Sequence, residues 1–200
     1  MVSLSLRPLL LVPFLIASCV DTGTPEHRQE QASQMSADLQ RLAPSVSRTE
    51  ADRLATTAIE ASARMSADFK PVILPWVNNM LVNMGLRKRG LCYQWRDDLF
   101  PHLFRLQSRT LELHLTSAKR ATRREHNGIV VTAKGQPFEQ GIVLDPWRHG
   151  GRLWWGRLEK DRHRYPWEPL PWELTPMVLR PLLMPDLYPS RRSAALKQEQ

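Results

Sequence analysis

The chain has 200 residues, 28 Lys and Arg against 20 Asp and Glu, and a formal charge of +8. That length holds one modest domain with tails, and no stretch approaches the roughly 20 apolar residues that span a bilayer, so no membrane-spanning helix is expected. The basic balance (pI near 10.1) suits nucleic acid, anionic lipid or acidic polymers, and the compartment decides among them.

The N-terminus speaks to the compartment. Arg7 precedes an uncharged apolar run from Pro8 to Ala17, close to the roughly 7–15 residues of a signal-peptide core. Pro8 and Pro13 disfavour a stable membrane helix. The run ends in Ile16-Ala17-Ser18-Cys19, which resembles the lipobox of bacterial lipoproteins. The resemblance implies removal of residues 1–18 as a signal peptide, a palmitate-type lipid on Cys19, and attachment to a membrane through it. Val20, where Asp would retain the protein, implies sorting to the outer membrane of a double-membraned bacterium, facing the periplasm. The competing reading is an ordinary secretory signal with a chance cysteine. Cleavage leaves 200 − 18 = 182 residues and, with Arg7 gone, a charge of +7. An exported chain rarely meets nucleic acid, so none is expected as a partner. The runs Arg87-Lys88-Arg89 and Lys119-Arg120…Arg123-Arg124 face anionic lipid, wall polymers or acidic peptides, or are solvated surface.

From Val20 to about Ser36 the chain is polar, with Gly23, Pro25 and several Gln, a tether composition. Met35, Leu39 and Leu42 predict a short helix ending before Pro44, so residues 19–46 read as tether plus short helix. Ser47-Arg48-Thr49-Glu50 has capping-box spacing, and Leu54, Ala58, Ile59, Met65 and Phe69 give the following helix one apolar face. Trp76, Val77, Met80, Leu81 and Met84 form a second stripe, read as core and stopped at Gly85. A third helix opens at Gly90-Leu91-Cys92, with Pro101 breaking or restarting it. Strands follow: Leu111, Leu113 and Leu115 alternate with polar residues, then Gly128–Ala133, Gly141–Leu144, and Arg152–Leu158. Helices first and an antiparallel meander after make the class α+β, with the domain spanning 47–165. Prolines at 166, 169, 171, 176, 181, 185 and 189 predict an extended Pro- and Trp-rich arm over 166–189, and 190–200 a disordered tail.

With Cys19 lipidated, Cys92 stands alone in an oxidising compartment. Cys92 at a helix start, His126 at the head of one strand and Asp145 at the end of the next form a sensible set. A helix N-terminus and a nearby imidazolium both favour the thiolate, and a carboxylate holds the imidazole. A hairpin centred on Gly135-Gln136 pairs residues that sum to 271, which sets His126 across from Asp145 on one face. Taken singly, a core cysteine, a surface histidine and an Asp-Pro turn are the plainer readings. A metal site from Cys92, His126, Asp145 and His114 lacks any close ligand pair, so neither metal nor cofactor is expected.

The pieces Arg89-Gly90-Leu91-Cys92-Tyr93-Gln94-Trp95, Glu125-His126-Asn127-Gly128 and Gly141-Ile142-Val143-Leu144-Asp145-Pro146-Trp147 resemble the transglutaminase-like superfamily, which shares Cys-His-Asp logic with papain-like proteases. The resemblance covers about residues 85–150. It implies a nucleophile-bearing helix packed on a small antiparallel sheet, with Cys92 as nucleophile, His126 as general base then acid, and Asp145 as orienting carboxylate. It also implies a backbone N–H of Cys92 in the oxyanion hole. Gln94 and Trp95 follow the cysteine instead of preceding it, which leaves the second oxyanion donor unassigned. The implied activity is acyl transfer, as a cysteine peptidase, amidase or transamidase, on envelope proteins or wall peptides. The alternative is a non-catalytic envelope lipoprotein that binds a partner through a degenerate fold and its arm. Trp147, Trp154 and Trp155 line an acyl groove beside Asp145 or pack the core.

Overall fold

A computed structural model describes residues 20–72 and 74–185; Cys19, the signal segment 1–18 and the tail 190–200 lie outside the described residues. Six α-helices and five strands are described: α1 (Pro25–Gln40), α2 (Arg48–Phe69), α3 (Pro75–Asn83), α4 (Cys92–Phe104), β1 (Leu111–Ala118), β2 (His126–Ala133), β3 (Ile142–Asp145), β4 (Trp154–Arg157), α5 (Leu158–Asp161), β5 (Trp167–Pro169) and α6 (Arg180–Leu183). The strands form one antiparallel sheet in the order β4-β3-β2-β1-β5. The class is α+β. No helix among the described residues is long and apolar enough to cross a membrane.

Strand alternation divides the sheet into two faces. Ile129, Val131, Ala133, Ile142 and Leu144 join Trp95, Leu99 and Leu103 of α4 and the apolar faces of α1 and α2 in the main core. Val130, Val143 and Ala118 turn to the other face, under Leu158 and Trp167.

The capping box at α2 is half local and half tertiary. Ser47 Oγ accepts the Glu50 N–H at 3.5 Å. The Glu50 carboxylate does not return the bond; it accepts the N–H groups of Arg109 and Thr110 (3.0 and 2.8 Å) and the Thr110 hydroxyl at 2.6 Å. The Ser47 N–H goes to Thr110 Oγ1 at 3.0 Å. A helix start is thereby fastened to the entrance of β1.

Four expectations are corrected. The polar stretch after Val20 is not a tether throughout: α1 starts at Pro25, with Thr24 accepting the His27 N–H at 3.3 Å. Ala32, Met35 and Leu39 are buried on α2, so the polar residues between them are a solvated helix face, and the domain begins well before residue 47. The α3 stripe is not core. Trp76 is 64% exposed, Met80 47% and Met84 64%, while the buried residue of this helix is Asn78. Helix α4 runs through Pro101 without a break, because Leu99, Phe100 and Leu103 bury one continuous face around it. The arm is part of the fold: β5 pairs with the edge of β1, where prolines are tolerated, and Leu179 is fully buried in the main core.

Candidate active site

The turn before α4 is built to present Cys92. Gly90 has φ +131°, and a Cβ there would lie 2.2 Å from Asn78 Nδ2, so glycine is required on both counts. Its carbonyl accepts from Asn78 Nδ2 (3.1 Å) and Trp95 Nε1 (3.2 Å). Gln94 Oε1 accepts the N–H groups of Gly90 (2.8 Å) and Leu91 (3.0 Å). Gln94 and Trp95 are therefore spent on the turn. The N–H groups of Cys92 and Tyr93 stand in the first turn, where a helix supplies no acceptor, and their positive end faces the thiol.

His126 and Asp145 meet, though not in the expected register. Ile129↔Leu144, Val130↔Val143 and Val131↔Ile142 all sum to 273. The connection is a longer loop with a 3₁₀ turn at Phe138–Gln140, not a tight hairpin. A shift of two residues keeps parity, so the side chains stay on one face as diagonal neighbours. His126 Nε2 lies 2.7 Å from Asp145 Oδ2, leaving Nδ1 for the thiol. Asp145 is fully buried and also accepts the Arg148 N–H (3.0 Å) and Arg148 Nε–H (2.8 Å). Arg148 in turn forks onto Asp161 at 2.9 and 2.8 Å, and Trp167 Nε1 donates to Asp161 at 2.9 Å. The imidazole is packed by Trp147, Tyr165 and Trp167, with centroids 4.7, 4.6 and 5.3 Å away.

Burial works against every charge here, and the partners overcome it. Burial disfavours the imidazolium, yet the Asp145 carboxylate and its hydrogen bond raise His126 to about 9. Burial pushes the Cys92 thiol up, yet hydrogen bonding and attraction to His126, with help from Asn127, bring it below its ordinary value. Asp145 is also lowered: burial opposes ionisation, while His126 and Arg148 favour it more.

Asn127 is the residue that sequence reasoning missed. Its Oδ1 accepts from the buried Arg96 guanidinium, which fixes the amide so that Nδ2 faces Cys92 Sγ at 3.6 Å. Arg96 is also held through Asp97 at 2.8 Å. Glu125 and Asn127, the two residues touching the thiol beside His126, line a cavity of about 600 Å³. Tyr93 and Asp97 of α4, Arg120, and Leu170, Leu174 and Pro176 also line it.

No family model, curated protein or solved structure matches the chain. The chemical reading rests on the geometry. Of the two readings of Trp147, Trp154 and Trp155, that geometry favours packing over an acyl groove. Trp147 packs at a tilt against His126 and donates to Asn79 Oδ1 (3.1 Å), the ring of Trp154 lies 3.6 Å from the Arg148 guanidinium, and Trp155 donates to Asp38 (2.8 Å). Trp147 and Trp154 brace His126 and Arg148, while Trp155 ties β4 to α1.

Proposed function

We propose that the chain is an exported, lipid-anchored, transglutaminase-like enzyme of thiol-dependent acyl transfer, acting on peptide or isopeptide bonds of envelope proteins or wall peptides. The observation that carries the reading is the convergence of a helix-start thiol, a buried imidazole and a carboxylate 2.7 Å behind that imidazole. Cys92 Sγ attacks the carbonyl carbon as a thiolate, and the oxyanion forms beside the Cys92 N–H and Asn127 Nδ2–H. The imidazolium of His126 gives its proton to the leaving amine, so the C–N bond breaks and a thioester remains. Water then gives a proton to His126 and attacks the thioester, which releases the acid and restores the thiol. Water is the acceptor chosen, because hydrolysis demands less of the site than binding an amine. The lipid sits on Cys19, and the outer membrane facing the periplasm is the location.

The test is the pH dependence of Cys92 alkylation by iodoacetamide in the form comprising residues 20–200, with His126→Ala and Asp145→Asn beside it. A thiol titrating below about 8.5, and losing that reactivity without His126, is the expected result. A thiol indifferent to both substitutions overturns the enzyme.

A second reading, a non-catalytic binding lipoprotein, is favoured by one observation: Cys92 is only 8% exposed. Under that reading the thiol alkylates only after unfolding.

A further inference from the structure

Residues 71–86 contain no charged side chain, and the segment is framed by Lys70 and by Arg87-Lys88-Arg89. Its described residues form α3 and flanking turns; Pro71 and Val72 are buried and Val77, Leu81 and Val82 half-buried, yet five large apolar side chains stay outside. Leu74 (50%), Trp76 (64%), Met80 (47%), Met84 (64%) and Leu86 (66%) are all exposed. Positions 76, 80 and 84 recur at four-residue intervals and share one helix face. The inner face is held by polar bonds instead, through Asn78 to the Gly90 carbonyl and Asn79 to Trp147. At the border Arg87 turns back to the Phe69 and Lys70 carbonyls and Arg89 pairs with Asp98, which leaves Lys70 and Lys88 exposed as the outward charges.

Val20 lies beside this segment. A Cβ built on Gly150 would lie 2.7 Å from Val20 Cγ2 and 3.2 Å from Pro71 Cγ, so both side chains close over the same glycine. Val20 directly follows the proposed lipid site, and Pro71 opens the uncharged segment. An apolar face with an aromatic residue, bordered by basic side chains, is the composition of a helix that lies in a membrane interface.

We propose that α3 and its flanking turns dock on an anionic bilayer surface, with Trp76, Met80 and Met84 in the acyl boundary and Lys70 and Lys88 at the headgroups. The anchor and the face then form a two-point attachment. The proposal rests on the lipid reading only for that second point. Because α3 also holds the Gly90 turn and Trp147, docking keeps the candidate active site near the membrane and points to membrane-proximal substrates.

The experiment uses residues 20–200, which contain every described element but cannot be lipidated. Vesicles of phosphatidylglycerol and phosphatidylethanolamine are sedimented with this form and with Trp76→Glu/Met80→Glu, whose exposed positions leave the core untouched; circular dichroism checks the fold of each. Sedimentation of the unsubstituted form, reduced at least tenfold in the double variant and by Lys70→Glu/Lys88→Glu, is expected. Absence of sedimentation, or sedimentation indifferent to these substitutions, overturns the proposal. So does a dimer in analytical ultracentrifugation that Trp76→Glu/Met80→Glu dissolves, because the face then belongs to a second copy. Labelled-palmitate incorporation into the full chain, with Cys19→Ala as control, tests the anchor separately, and either result can fail alone.

Discussion

At the scale of single residues the site is an argument between burial and partnership. His126 held at about 9 contributes stability that is complete below its ordinary value near 6.5 and lost as pH rises through about 9. The depressed Cys92 works in the opposite sense: its contribution is present above the ordinary thiol value near 8.5 and is lost as pH falls through the lowered one. The thiolate–imidazolium pair therefore persists between the two folded values. Hydrolysis should follow a bell, with an acid limb below about 8.5 set by the thiol and an alkaline limb near 9 set by His126. In His126→Ala, burial is left unopposed by the imidazolium, and the alkylation midpoint should move above that of the unsubstituted chain. Asn127 makes a different prediction, because the proposed mechanism assigns it the oxyanion. Asn127→Ala should lower kcat by about 10²–10³ with little change in KM, while Cys92 still alkylates. Arg96→Met should give the same split, since the carboxamide loses the donor that aims it. Asn127 was hidden in the sequence by the rule that exposed its neighbour. Alternation sends adjacent strand residues to opposite faces, and Cys92 meets both because it opens α4 beside the first residues of β2.

At the scale of elements, what was legible depended on whether the signal was local. The start of α2, strands β1 to β4 and the helix-start position of Cys92 follow from caps, alternation and turn residues within a few positions. The β2–β3 register did not, because it depends on how the Lys134–Gly141 loop folds; parity survived the two-residue difference, and with it the His126–Asp145 meeting. The end of α1 was marked by Met35 and Leu39 while its first turns were hidden by their polar composition, and α3 showed a correct apolar stripe whose direction no sequence states. The turn at Gly90 combines a legible glycine with an illegible partner, since Asn78 reaches it from another helix. Gly90→Ala forces φ away from +131° and collides with Asn78, at a cost of about 1–3 kcal/mol. The expected outcome is a fold still cooperative by thermal melting, with Cys92 alkylation at neutral pH reduced at least tenfold as the thiol leaves the helix start. A variant that alkylates at the original rate would show that the turn does not position the thiol.

At the scale of the whole molecule the decisive question is where the folded unit begins. A tether over residues 20–36 could be removed without loss, whereas a packed helix could not. Met35 and Leu39 are fully buried between α1 and α2, and Ala32 and Leu42 nearly so. Polar bonds tie the same helix elsewhere: Arg28 to Glu60 at 2.9 Å, Ser36 to Asp52 at 2.5 Å, and Asp38 to Trp155 of β4 at 2.8 Å. The Leu42 carbonyl after the helix accepts from Gln136 at 2.8 Å. Each large side chain withdrawn from water is worth about 1.5–3 kcal/mol, and deletion also uncovers Leu54, Ala55 and Ala58, which are fully buried in α2. The sum is comparable to the roughly 5–15 kcal/mol that holds a whole domain together. The form starting at residue 24, which keeps the Thr24 cap, should therefore unfold in urea with a midpoint close to that of the form starting at residue 20. The form starting at residue 45 should show no cooperative transition by circular dichroism. Retention of a normal midpoint after removal of residues 20–44 would return α1 to the role of tether and move the start of the domain to α2.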